Sequence, residues 1–195
     1  MSRFLSSLYS SLKEYVPGEQ PQDKKYVKLN TNESPFPPSQ GVIDAVTETE
    51  VSKLCLYSDP ESKLLKAKLA ENYSLESENV FVANGSDDIL NFAFMAFARE
   101  NGAAFPDISY GFYPVFADLY NVDARIIPLE EDFSIDYKKY LNIGKMVVIA
   151  NPNAPTGKVI PKSEIEEIIK TNPDNVVLID EAYVDFGAES VVDLV

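Results

Sequence analysis

Histidine is absent from the 195 residues, and cysteine occurs once, at Cys55. A lone cysteine can close no internal disulfide, and without histidine a Cys/His metal centre is excluded by composition, so a reducing cytoplasm fits the chain. Positive charge is also scarce. Seventeen Lys and Arg against 31 Asp and Glu leave a net charge of −14, which opposes nucleic acid and anionic membrane surfaces and favours a small-molecule partner. Long apolar runs are missing too, and none approaches the roughly 20 residues that a membrane span requires. The N-terminal stretch MSRFLSSLYSSLKEY could be mistaken for a signal peptide, but serines interrupt it. Phe4, Leu5, Leu8, Tyr9 and Leu12 fall instead on one face of an amphipathic helix.

What is present is enough for a core. With 45% hydrophobic residues, a chain of this length can bury roughly 70% of the surface it would expose unfolded. The organising stretch is Asn175 to Tyr183, NVVLIDEAY. Val176 to Ile179 have the composition of a strand buried on both faces of a parallel sheet, and the run stops on Asp180 and Glu181. In open α/β sheets ligands sit beyond the carboxyl ends of strands, so these acids are placed either to meet a ligand or to cap the next helix. Upstream, Met146 to Ala150 form another apolar run that ends in the rigid loop NPNAPTG, Asn151 to Gly157, where prolines stop the strand and amide side chains are displayed. Further short strands are expected at Val80–Ala83, Ala103–Pro106 and Ala124–Pro128. Helices are expected over Gly41–Val51, Ser62–Tyr73 and Ile89–Ala98, with Phe112, Tyr113 and Phe116 as core. The fold class is α/β, a mostly parallel sheet with helices on both faces. Four apolar residues before Asp-Glu also match the metal-binding strand of nucleotide hydrolases, with Asp180 on Mg²⁺ and Glu181 on water. The partner motif G-x-x-x-x-G-K-[ST] is missing, however, and Thr156-Gly157-Lys158 lacks the preceding glycine.

NPNAPTG followed by VVLIDEAYVDF resembles the large domain of the fold-type-I aminotransferases that use pyridoxal 5'-phosphate, and LNTNESPFPPS resembles the N-terminal arm of the histidinol-phosphate aminotransferase family. The resemblance implies an N-terminal helix and arm over residues 1–40 and an incomplete cofactor-binding large domain over 41–195. It implies amino transfer between histidinol phosphate and 2-oxoglutarate, or a related aromatic-amino-acid aminotransferase or threonine-phosphate decarboxylase, in a cytoplasmic homodimer. The family places Asp180 on the cofactor's pyridine nitrogen and Tyr183 on the ring 3-oxygen. Tyr110 stacks on the ring, and Gly85, Ser86 and Asp87 hold the phosphate at the start of a helix, where free N–H groups and the dipole favour an anion. The side chains of Asp87 and Asp88 are expected to point away from that phosphate. Tyr57 reaches the cofactor phosphate of the other subunit. In the arm, Tyr15 meets the substrate phosphate, and Asn32 and Glu33 border the substrate.

Two departures from the family stand out. The asparagine that usually precedes Pro-Thr-Gly is Ala154 here, with Asn153 as the candidate substitute. The Schiff-base lysine is expected beyond Val195, so no catalytic residue is assigned within the chain. By itself the chain is expected to be inactive and poorly soluble, with Val80–Ala83 as an unpartnered strand.

Overall fold

The computed structural model describes residue 9, residues 18–19, 21, 23–24, and residues 26–195. Most of the expected N-terminal amphipathic helix, and Tyr15 with it, lie outside the described residues. The chain divides into two units, one of residues 13–63 and one of residues 1–12 with 64–195.

In the 13–63 unit the proline-rich stretch is extended and exposed. It leads to α1 (Gln40–Ala45) and α2 (Glu48–Ser52). The single helix expected over Gly41–Val51 is therefore two. Val46 leaves helical geometry at ψ 72°, and Thr47 takes an extended conformation in which its side chain accepts from the Glu50 N–H, starting α2 afresh.

The larger unit runs α3 (Lys63–Tyr73), α4 (Gly85–Phe97), β1 (Ala103–Pro106), α5 (Phe112–Tyr120), β2 (Ala124–Ile127), β3 (Met146–Ala150), α6 (Lys162–Thr171) and β4 (Val177–Asp180). The four strands form one parallel sheet in the order β2-β1-β3-β4. Alternate residues of the central strands feed two cores, as the two-residue period of a strand requires. Ala103, Phe105, Met146 and Val148 pack with Leu90, Phe94, Tyr113 and Phe116 of α4 and α5. Ala104, Val147 and Ile149 pack with Ile165 and Ile168 of α6 and with Tyr140. All five residues of β3 are buried.

β4 departs from expectation. Its residues are half-buried, because it lies at the sheet edge beside β3, and its span is shifted by one so that Asp180 is the last strand residue. Residues 80–83 form no strand. A strand needs a neighbour for its backbone groups, and among the described residues no ladder bond reaches this stretch, which leaves Phe81 exposed. No helix among the described residues is long and apolar enough to cross a membrane.

Candidate active site

Parallel strands put all their carboxyl ends on one side, and the loops leaving those ends converge there. At the end of β3, the buried Asn151 donates from its amide to the Ile160 carbonyl at 3.1 Å and accepts from the Ile160 N–H at 2.9 Å. This side chain pairs like a strand residue and closes the loop over Pro152–Val159. The Asn151 N–H donates to the Asp180 carbonyl at 2.9 Å, which extends the β3–β4 ladder by one bond and fixes where Asp180 stands.

The Asp180 carboxylate has two donors. Oδ1 accepts from the Ala182 N–H at 3.1 Å, an Asx turn, and Oδ2 accepts from the Tyr113 hydroxyl at 3.0 Å. No α-helix begins here. The next element is a single 3-10 turn over Val184–Phe186 whose first flanking residue is Tyr183, so Asp180 is not a helix cap. Tyr113 is fully buried. Burial, and then the charge of Asp180, push its phenol far above the ordinary tyrosine range, so it is a standing donor.

Asp180 lines a small pocket of about 110 Å³ together with Ser86, Tyr110, Ala150, Ala154, Ala182 and Tyr183. Ser86 belongs to the first turn of α4, which begins at Gly85. Gly85 sits at φ +75° with nothing within 4 Å of where a Cβ would stand, so conformation rather than space calls for glycine. The adjacent acids are engaged nearby. Asp88 Oδ2 accepts from the Asn84 N–H at 3.2 Å, and Asp87 Oδ1 accepts from the Tyr110 hydroxyl at 2.8 Å. Tyr110 is thereby tethered to the start of α4, while its ring stacks on Phe112 (centroids 5.7 Å apart, planes at 24°) and meets Tyr113 edge-on at 78°. One flat aromatic wall, one carboxylate, one phenol and one helix start with a hydroxyl surround the same space.

The family model for class I and II aminotransferases matches residues 24–195. The chain belongs to that family. It is 54% identical over 197 residues to a histidinol-phosphate aminotransferase of Marinomonas sp. (strain MWYL1), covering all of this chain and 56% of that protein. It is 49% identical to the enzyme of the same name from Clostridium acetobutylicum, again covering all of this chain and 56% of that protein. The chain thus spans about half the length of the curated relatives it matches. Its fold matches the crystal structure of histidinol-phosphate aminotransferase from Sinorhizobium meliloti in complex with pyridoxal-5'-phosphate, with a TM-score of 0.72 and 23% identity over 80% of this chain and 44% of that one. That likeness speaks for the fold.

In this chain, Ser86, Tyr110, Asp180 and Tyr183 line one pocket, with Gly85 and Asp87 on the same helix start. Asn153 is elsewhere. It is buried, its amide donates to the Ile108 carbonyl and to Thr156 Oγ1, both at 3.0 Å, and its oxygen accepts from Ser109 Oγ at 2.7 Å. Both of its N–H donors are engaged within the surrounding loops, and Ala154 forms the pocket wall in its place. Glu181 also serves the scaffold. Its oxygens accept from Ser190 Oγ at 2.7 Å and from the Val191 N–H at 2.6 Å, which hold the following segment to the end of β4 rather than positioning a water. In the 13–63 unit Tyr57 is exposed, Asn32 takes a left-handed φ of 52°, and Glu33 pairs with Lys28. Larger clefts of about 510 Å³ along the outer side of β4 and about 610 Å³ around Tyr26 and Leu29 carry none of the polar groups gathered at Asp180.

The residue that sequence reasoning missed is Tyr113. Its helical position marks it as core, which its ring is, and only its hydroxyl, at the far end of that ring, reaches a pocket residue, Asp180. A buried tyrosine where phenylalanine would fill the same space was the available signal, since a buried O–H usually has a partner.

Proposed function

We propose that this chain is the cofactor-holding part of a pyridoxal 5'-phosphate-dependent aminotransferase that exchanges an amino group between histidinol phosphate and 2-oxoglutarate in histidine biosynthesis. It acts in the cytoplasm as a homodimer, with residues 1–40 as an arm and 41–195 as large domain. The observation that carries the reading is the pocket itself. One space is lined by the Asp180 carboxylate, by Ser86 in the first turn of α4, where free N–H groups favour an anion, and by the flat ring of Tyr110. That donor set fits a phosphorylated pyridine ring and would not suit a uniformly charged ligand.

When bound, pyridoxal phosphate supplies an electron sink whose strength depends on a protonated ring nitrogen. The residues of this chain serve that need. Asp180, oriented by the Ala182 N–H and the Tyr113 hydroxyl, holds a proton on the ring nitrogen by charge. Tyr110, tethered through Asp87, keeps the ring plane by offset stacking. Gly85 and Ser86 take the phosphate, and Tyr183 offers its phenol to the ring oxygen. Tyr57 of a second copy reaches the same phosphate, and the arm, through Tyr15, Asn32 and Glu33, borders the substrate. The choice of histidinol phosphate rests on the names of the relatives at 54% and 49% identity.

The test is turnover by the full-length protein with histidinol phosphate and 2-oxoglutarate, with phenylalanine and threonine phosphate as competing substrates. Asp180→Ala should fold and lower turnover by about 100- to 1,000-fold, the usual effect of removing one preorganised charge from an active site, with a melting temperature a few degrees below the parent's because the buried Tyr113 hydroxyl loses its acceptor. Near-parent turnover in that variant would reduce Asp180 to a turn residue. Preference for either competitor would move the protein to another substrate class.

A further inference from the structure

We propose that Tyr113 is a positioning residue that acts on the cofactor through Asp180; this rests on the cofactor reading above. A carboxylate turns easily about its last side-chain torsion, and Asp180 belongs to a half-buried edge strand, where little packing restrains it. Two donors at fixed places remove that freedom. The Ala182 N–H takes Oδ1 and the Tyr113 hydroxyl takes Oδ2, so the plane of the carboxylate is set before any ligand arrives.

Tyr113 suits this task because it cannot move. Its ring is fully buried, packed against Phe105 at 5.9 Å and Tyr110 at 5.7 Å between centroids, and its backbone N–H donates to the Tyr110 carbonyl at 3.2 Å. The same ring that orients Asp180 therefore supports Tyr110, the aromatic wall of the pocket, and the two cofactor contacts are set by one rigid body. The neighbouring Ser109 hydroxyl donates to Asn153 Oδ1 at 2.7 Å, which joins the loops that follow β1 and β3. A phenol held protonated by burial gives Asp180 a neutral donor, which orders the carboxylate without adding a positive charge that would compete with a ring N–H for it.

The experiment is a double-mutant cycle on pyridoxal phosphate affinity, measured by equilibrium dialysis with the full-length protein, together with thermal melts. Tyr113→Phe keeps the ring and removes only the hydroxyl. It should weaken cofactor binding about tenfold, in line with losing one hydrogen bond to a charged group. On an Asp180→Ala background the same change should alter affinity less than about twofold, since its only route to the cofactor is gone. A loss that is equally large on both backgrounds would show general damage to the pocket and overturn the proposal, as would unchanged affinity in Tyr113→Phe alone. If the parent protein bound no pyridoxal phosphate, the cofactor reading itself would fall. Binding that depends on Asp180 but not on Tyr113 would overturn this inference alone.

Discussion

At the scale of single residues, the chain places its strictest demands where backbone comes close to backbone. Gly102 precedes β1 at φ +79°, and a Cβ there would stand 2.3 Å from the Asp123 carbonyl oxygen and 2.6 Å from Lys145 Nζ. Lys145 is drawn in by the Asn101 and Asp123 carbonyls at 3.2 Å each and by the Asp123 carboxylate at 2.6 Å. The lysine tip could swing away, but the Asp123 carbonyl belongs to the bond that starts the β1–β2 pairing, from the Ala103 N–H at 3.2 Å. Gly102→Ala should therefore destabilise the protein by about 2–3 kcal/mol, from a left-handed φ added to a backbone clash. Urea unfolding would check it, and a midpoint within error of the parent would show that the turn relaxes freely. Gly85, at φ +75° but in open space, should tolerate alanine with the smaller loss of about 1 kcal/mol expected from φ alone.

At the scale of elements, the loop after β3 behaves as an extension of the sheet, with asparagine side chains standing in for backbone. Asn151 satisfies both backbone groups of Ile160 from a buried position. Asn172 does the same beyond α6, donating to the Tyr140 and Ile168 carbonyls and accepting from the Ile143 N–H. Replacing Asn151 with alanine would leave a buried N–H and a buried carbonyl without partners, which costs about 2–4 kcal/mol in sum. Because the loop carries Ala154 of the pocket wall, cofactor affinity should fall together with stability. A variant that lost stability yet kept parent affinity would separate the loop from the site.

At the scale of the whole molecule, acidity governs behaviour. With 31 acids and 17 bases, a net charge of −14, at least 14 carboxylates have no cation to pair with, and the depressed ones are local. Asp132 is held down at about 2, first by the Ser134 hydroxyl, then by the Ser134 N–H and Lys158. Asp193 is lowered by Lys162, and Asp59 by the backbone N–H groups of Lys63 and Glu61. A carboxyl whose folded pKa lies below its unfolded value, about 3.9, stabilises the fold fully above that value and loses the contribution as pH falls toward the folded pKa. The melting temperature should accordingly hold between about pH 6 and 8 and decline below about pH 4. In Asp132→Asn that decline should be shallower, though slightly, because the group is exposed and water screens it. An identical slope in parent and variant would remove Asp132 from the account. Phe81 and Phe92 stand exposed in edge-on ring contact, centroids 6.0 Å apart, with Met95 exposed one turn along α4, and a contiguous apolar surface is one that a monomer rarely leaves open. The full-length protein, on the proposed homodimer, should scatter light as a dimer, and a monomer would contradict that proposal.

The amino-acid order by itself determined the parallel α/β class, the positions of β1, β2 and β3, the bend of the chain at NPNAPTG, and the expectation that Asp180 stands at a strand end. These follow from local composition and from chain geometry that any tertiary context must respect. Tertiary structure decided what depends on neighbours. The stretch Val80–Ala83 has strand composition but no strand beside it among the described residues, and β4 has the composition of a buried strand yet lies at the edge, because composition states what a strand could bury and not what is beside it. Asn153 and Asn151 look alike in sequence, and only packing reveals that both amides are engaged inside the scaffold. Tyr113 reads as core from its place on α5, and it is the packing of α5 against β1 and β4 that brings its hydroxyl to Asp180. Hydrogen-bond partners 67 residues apart leave no periodicity to read, since their meeting is a property of the folded sheet and of nothing nearer in the chain.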